Sequence, residues 1–295
     1  MAAARGGFLV VTIDPAGAPA MEEVLQQEGV PLEPCDHAFF RARPRGCTIT
    51  FYRSGKVMLQ GPESERWGVR LGLPAGGGKG ERALAFAPDR AAVGSDESGK
   101  GDYFGPLVVA AVHADPAGIA LLEKAGVRDS KALADRRCTT LAGWIEREFP
   151  LALRVVMPAD YNRRHRECGG NLNVLLAALH AECLQELLPR LAAGGGGRLV
   201  VDRFGPEARV RDALGGLPPG VELVQVPRAE EHPVVAAASI LARAEFLEGL
   251  KRCSETAARN LPKGCGPAVP RTAAWIREVG GEELLARVAK VHFKV

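Results

Sequence analysis

Three places along the sequence set carboxylates beside short apolar runs. Asp96 and Glu97 come soon after Ala92-Val93, Asp202 directly follows Leu199-Val200-Val201, and Glu230-Glu231 follow the run 221–226. Most acidic side chains are solvated surface charges, and that explanation suits the many glutamates in polar stretches. It suits Asp202 less well, because a carboxylate abutting a buried run is desolvated and needs a partner. Carboxylates gathered on one edge repel each other unless a cation lies between them. Hard divalent cations, magnesium above all, take all-oxygen shells of this kind.

The glycines around the first pair allow a rival reading. Gly94 and Gly99-Lys100 match the opening of a phosphate-binding loop, Gly-x-x-x-x-Gly-Lys, but Gly101 stands where that loop needs Ser or Thr to hold its metal. Two carboxylates inside the loop would also oppose a nucleotide's phosphates. A division of labour fits better: Asp96 and Glu97 hold metal, while the backbone of Gly99-Lys100-Gly101 comes close to a polynucleotide.

These residues need elements to position them. Gly76, Gly77, Gly78 and Gly80 around Lys79 read as a linker, predicting a small domain over 1–75, a linker over 76–88 and a larger domain over 89–295. In the small domain the pattern predicts a helix including 21–27, and a hairpin of 47–52 with 56–60 turning at Arg53-Ser54-Gly55. Arg41, Arg43 and Arg45 lie just upstream, either as a solvated face or as a track for phosphates. In the larger domain strands are predicted at 91–93, 107–112, 154–157, 199–201 and 221–226, with helices over 172–188, ending at Pro189, and over 234–250. Such an order predicts an α/β mixed sheet flanked by helices, whose sites form beyond the carboxyl ends of strands.

Bulk properties exclude more than they select. A chain of 295 residues is long enough for two domains, and 46% hydrophobic with 25% charged residues is ordinary globular composition. A net charge of +3 is too small to indicate a nucleic-acid partner by itself. The seven cysteines are odd in number, scattered and without a Cys-x-x-Cys pair, which argues against a disulfide framework or a zinc site. The apolar run 8–13 is too short for a signal peptide, and no stretch of about twenty apolar residues occurs. A soluble, cytoplasmic protein with no membrane partner is expected.

The residues around the first pair also carry a resemblance. Gly94-Ser95-Asp96-Glu97-Ser98-Gly99-Lys100-Gly101-Asp102, continuing through Phe104-Gly105-Pro106-Leu107-Val108-Val109, resembles the signature of bacterial ribonuclease HIII, a type 2 ribonuclease H. Further matches follow in order: Asp129-Ser130-Lys131, Tyr161-Asn162, Asn171-Leu172-Asn173 with Leu179-His180, Val201-Asp202, Ala236-Ala237-Ala238-Ser239, Leu261-Pro262-Lys263-Gly264 and Ala289-Lys290-Val291-His292-Phe293. Tyr52-Arg53-Ser54-Gly55-Lys56-Val57 with Gln60-Gly61 resembles the family's N-terminal domain, which is similar to the TATA-box-binding protein fold. Ribonuclease HII has Arg where Lys100 stands and usually lacks that domain.

The resemblance implies a ribonuclease H-like sheet and endonucleolytic cutting of the RNA strand of RNA–DNA hybrids, leaving a 3′-hydroxyl and a 5′-phosphate. It implies two Mg²⁺ ions, with Mn²⁺ as a substitute, held by Asp96, Glu97, Asp202 and a glutamate of Arg228-Ala229-Glu230-Glu231-His232. Counting from Ala229 favours Glu230, and counting back from Ala236 leaves Glu231; Glu230 is taken as the fourth ligand. Ser98, Gly99, Lys100 and Gly101 are the implied readers of the 2′-hydroxyl, the group that separates RNA from DNA. Lys131 and Asn173 would hold phosphates; His180 would either do so or, as a lone helix histidine, simply be packed or solvated. Arg53 and Lys56 of the small domain would add sequence-independent affinity. A monomer without an obligate protein partner is implied. Two other functions stay open: ribonuclease HII-type cutting at single ribonucleotides embedded in DNA, and non-catalytic nucleic-acid binding. The Gly99-Lys100-Gly101 version counts against the first, and four matched acids count against the second.

Overall fold

The computed structural model describes residues 8–73, 89–128, 133–204 and 208–294. The chain divides into two compact units, residues 1–84 and 85–295. The expected linker, 76–88, lies outside the described residues.

The first unit holds strands β1 (Phe8–Thr12), β2 (Leu32–Glu33), β3 (Ala38–Ala42), β4 (Thr48–Tyr52) and β5 (Lys56–Gln60), with helices α1 (Ala18–Gln27) and α2 (Ser64–Arg70). The strands form one antiparallel sheet in the order β1-β5-β4-β3-β2. The expected hairpin is β4–β5, closed where the Gly55 N–H donates to the Tyr52 carbonyl at 3.0 Å. Ile49, Phe51, Val57 and Leu59 are fully buried and share a core with Met21 and Leu25 of α1, so α1 covers one face of the sheet.

The second unit runs β6 (Ala92–Ser98), β7 (Leu107–Ala114), α3 (Pro116–Lys124), α4 (Asp135–Glu148), β8 (Leu151–Val156), α5 (Pro158–Glu167), α6 (Leu172–Ala193), β9 (Gly197–Asp202), α7 (Ala208–Leu214), β10 (Val221–Val226), α8 (Pro233–Thr256) and α9 (Ala268–Val288). Its sheet has the order β10-β9-β6-β7-β8, with β10, β9 and β6 parallel and the β6–β7 and β7–β8 pairs antiparallel. This is the mixed, helix-flanked α/β sheet that the sequence predicts. Alternate residues feed two cores: Val108, Ala110 and Val200 pack with α8 on one face, and Val93, Val109 and Val201 with α6 on the other. The run Ala236-Ala237-Ala238 lets α8 lie close to β6. A Cβ added at Gly94 would sit 2.5 Å from the Val235 nitrogen, so only glycine permits that approach.

The structure corrects several boundaries. The strand expected over 91–93 continues to Ser98, so Asp96 and Glu97 lie within it and not after it. Their pairing with Ala110 and Val109 of β7 holds these polar residues extended against their own preference. Asp202 is likewise the last residue of β9. Helix α6 does not end at Pro189 but runs on to Ala193. Leu187 and Leu191 are buried on either side of the proline, and their packing outweighs the hydrogen bond it cannot donate. Strand β7 reaches Ala114, β8 starts at Leu151 and ends at Val156, and α8 extends to Thr256. Helices α3, α4, α5, α7 and α9 are additional to the elements predicted. All seven cysteines are unpaired, and no helix among the described residues is long and apolar enough to cross a membrane.

One cap gives the fold a pH dependence. Buried His232 caps α8, its Nδ1 accepting the Val234 N–H at 3.2 Å. Burial, and then the charge of Arg198, lower its imidazole to about 4. The unfolded chain binds this proton near pH 6.5 and the folded protein resists it. The group's contribution is therefore present above pH 6.5 and lost as pH falls toward 4. Denaturant titrations at stepped pH are expected to lose up to about 3 kcal/mol across that window. His232→Asn keeps a capping acceptor and should flatten the loss; an equal slope in the variant would rule this histidine out.

Candidate active site

The parallel pairing of β6 with β9 stops at Ser95–Val201, while its antiparallel pairing with β7 continues to Ser98. The sheet opens there, and Asp96 and Glu97 occupy the part of β6 beyond its paired stretch with β9. Asp96 and Asp202 each follow that last pair by one residue, and Asp202 is itself in register with Val226 at the end of β10. A single 3-10 turn, Ala229–Glu231, follows β10 and carries Glu230. Asp202 Oδ1 accepts the Ala229 N–H at 3.3 Å, tying that turn to the end of β9. Glu230 is half-buried, whereas Glu231 is exposed and pairs with Arg228 at 3.5 Å. Asp96 and Glu97 thus lie in the last part of β6, Asp202 at the end of β9, and Glu230 on the turn after β10.

Strand alternation divides those acids between faces. Asp96 shares the α8 face with Gly94, and Asp202 shares it with Val200, but Glu97 lies with Ser95 on the α6 face. There the fully buried His180 of α6 bridges the strand. Its Nδ1 is 2.8 Å from Ser95 Oγ, and its Nε2 donates to Glu97 Oε2 at 3.2 Å. Lys100 Nζ lies 3.3 Å from the other Glu97 oxygen. The His180 ring stacks on Phe204 with centroids 5.0 Å apart, and the Lys100 ammonium sits 5.5 Å from the centre of the same ring. Burial pushes the Glu97 carboxyl up, but the hydrogen bond and electrostatic pull of His180, with the Lys100 ammonium, outweigh it and bring the group down to about 2. Glu97 is therefore an ionised acceptor whose orientation is fixed. Asp96 Oδ1 accepts the Glu97 N–H at 2.8 Å.

Among the described residues, no three His, Cys, Asp or Glu side chains converge into a group able to hold a metal ion. In this arrangement the Glu97 carboxylate is engaged by His180 and Lys100. The donor chemistry still fits a hard divalent cation, since Asp96, Glu97, Asp202 and Glu230 are partly exposed carboxylates on adjoining strand ends.

The other predicted site residues are spread more widely. Ser98 ends β6, half-buried. Gly99 has φ +86°, and a Cβ there would fall 2.1 Å from the Pro106 carbonyl oxygen, so the turn closed by the Asp102 N–H on the Gly99 carbonyl needs glycine. Gly101 is exposed, with open space where its Cβ would be. Asn173, half-buried, lies in the first turn of α6 and donates its N–H to Asn171 Oδ1 at 3.1 Å. Lys131 lies outside the described residues. Arg53 and Lys56 are exposed on the first unit, the Arg53 guanidinium 5.9 Å from the centre of the Phe39 ring. His180 is too buried to meet a phosphate, so the packed alternative is the one found. Ser95 and Phe204 were not anticipated as its partners. The available signals were alternation, which places Ser95 on the side of Glu97, and the position of Phe204 two residues after Asp202.

Both units have known relatives. A family profile described as Ribonuclease HII matches residues 93–295, and one described as a domain of unknown function (DUF3378) matches residues 9–80. Ribonuclease HIII of Bacillus licheniformis is 37% identical over 270 residues, covering 87% of this chain and 86% of that protein. Ribonuclease HIII of Exiguobacterium sibiricum is 38% identical over 269 residues, covering 89% and 87% respectively. The crystal structure of Bst-RNase HIII in complex with Mn²⁺ is similar with a TM-score of 0.66 and 33% identity, over 97% of this chain and 96% of that one. Similarity of this extent runs through both units, and the chain belongs to the ribonuclease HIII family.

Proposed function

We propose that the chain hydrolyses the RNA strand of RNA–DNA hybrids, leaving a 3′-hydroxyl and a 5′-phosphate, with Asp96, Glu97, Asp202 and Glu230 holding two divalent ions. Magnesium is the assigned ion and manganese its substitute. The observation that carries this reading is the sheet edge where Asp96 and Asp202 each directly follow the last paired residues, Ser95 and Val201, of neighbouring parallel strands. Ions bound there would activate the attacking water and stabilise the departing oxygen. The protein's own part is to supply oriented carboxylates and to place the duplex. His180 keeps Glu97 aligned, and the partly exposed Lys100 ammonium can shift from Glu97 to a backbone phosphate. The 2′-hydroxyl would be read by the backbone of Ser98, Gly99, Lys100 and Gly101, of which Gly101 is the exposed member and Gly99 is buried. Lys131 and Asn173 would hold phosphates, while Arg53 and Lys56 would add affinity without sequence preference. Unpaired thiols suit a reducing compartment, and we place a monomeric enzyme in the cytoplasm.

The test incubates the protein with an end-labelled RNA–DNA hybrid and, separately, with DNA carrying one ribonucleotide, each with Mg²⁺, Mn²⁺ or EDTA. Cuts within the hybrid in both metals and none in EDTA are expected, with slower cutting of the second substrate. Activity that survives EDTA would overturn the metal assignment. Faster cutting at the single ribonucleotide would instead assign a junction-type activity. In the same assay Arg53→Glu with Lys56→Glu should raise KM and reduce its salt dependence without changing kcat; an unaltered salt slope would remove the first unit from substrate binding.

A further inference from the structure

The glycine loop that follows β6 is fastened from two sides by segments the proposed chemistry leaves without a task. On one side, Asp102 Oδ1 accepts the Gly264 N–H at 2.6 Å, the Tyr103 N–H donates to the Gly264 carbonyl at 3.1 Å, and Cys265 Sγ donates to the Gly101 carbonyl at 3.2 Å. On the other, Phe104 bridges to Ala289, and the Gly105 N–H donates to the Val288 carbonyl at 3.1 Å. Lys290, fully buried, donates its backbone N–H to Tyr103 at 2.8 Å and its ammonium to the Gly105 carbonyl at 2.6 Å. Residues 99–106 are thus held by chain more than 150 residues away, at two separate places. Gly101 itself stays exposed between them.

Asp102 is the member of this set that needs an explanation. A carboxylate next to a surface that receives a polyanion raises the local repulsion. Its oxygen is engaged by the Gly264 amide in a short bond. We infer that Asp102 is a specificity-positioning residue, which clasps residues 99–101 to residues 264–265 and so sets how closely the Gly101 backbone meets the sugar of the RNA strand. This rests on the assignment of that backbone as the 2′-hydroxyl reader. The segment Pro262-Lys263-Gly264 thereby gains a role as the outer wall of the reading loop, with Lys263 anchoring it to Asp135 at 2.8 Å.

The test uses the full chain and two substrates: an RNA–DNA hybrid, and the same hybrid with one 2′-deoxynucleotide beside the scissile position. Asp102→Ala is expected to raise KM for the hybrid and to lower the ribose-over-deoxyribose ratio of kcat/KM, each by about tenfold, with kcat within about threefold of wild type. Asp102→Asn retains an oxygen that can accept the Gly264 N–H and should restore most of both. A folded Asp102→Ala protein with the wild-type ratio would overturn the clasp, as would a loss confined to kcat. Cys265→Ala removes an exposed contact to the same loop and should move the ratio in the same direction by a smaller factor. If Asp102→Ala does not fold, an unmoved ratio in Cys265→Ala overturns the proposal on its own. Wild-type protein that fails to prefer ribose overturns the functional reading, and the clasp with it.

Discussion

Asp96→Asn is expected to lower single-turnover cleavage of an RNA–DNA hybrid by at least about a thousandfold, equivalent to roughly 4 kcal/mol of transition-state stabilisation. The substitution is isosteric and keeps an oxygen to accept the Glu97 N–H, so the end of β6 has no reason to move. What it removes is charge, at the acid that adjoins Glu97 and directly follows the last pair of β6 with the strand ending in Asp202. A cation held by oxygens loses more from that change than a hydrogen bond does, because amide oxygens bind hard divalent ions more weakly than carboxylates. Hybrid affinity measured in EDTA should be unchanged or slightly tighter, since one like charge facing the phosphates is gone. That combination separates a chemical role from a folding role. A variant cutting at the wild-type rate would remove Asp96 from the centre of the site. One that loses cleavage together with thermal stability would make the residue structural.

How much of this could be read from residues alone differs by kind of contact. The apolar run at 199–201 announces a buried strand, and the glycine pattern after Glu97 a tight turn, because local chemistry decides both; the segment 221–226, read as buried in the same way, is instead a partly exposed edge strand. The polar end of β6 was not legible, since Asp96, Glu97 and Ser98 become strand only through the ladder with Val108, Val109 and Ala110. Pro189 misled for the same reason: the packing of Leu191 lies outside any local window. His180 was visible as a residue but not as a contact. Its partners Ser95 and Glu97 are more than eighty positions away and meet it only once α6 covers the sheet. Glu230 and Glu231 adjoin in sequence and cannot be separated there. The structure distinguishes their surroundings, half-buried on the turn that Asp202 holds against exposed and paired with Arg228.

The glycines of the reading loop supply the second large effect, and they differ in a way that tests the loop's function. Gly99→Ala places a Cβ 2.1 Å from the Pro106 carbonyl oxygen and 2.9 Å from the Phe246 ring, at a backbone φ of +86°. The left-handed backbone alone costs about 1–2 kcal/mol for a residue with a Cβ, and the clash with backbone cannot be relieved by a side-chain rotation. The loop must shift, so thermal stability and cleavage should fall together. A misplacement of about 1 Å is enough for a loss on the order of a hundredfold in rate. Gly101→Ala is the contrasting case, because its added methyl meets open space in the free protein. It should melt as wild type does, yet bind the hybrid more weakly, because the methyl occupies the space through which a ribose would approach the backbone. If Gly101→Ala cleaves with wild-type KM, the sugar does not approach at that residue, and the reading of the 2′-hydroxyl must be moved to Ser98 or Gly99. If both variants lose stability equally, the loop is a structural turn whose exposure at Gly101 has no bearing on substrate.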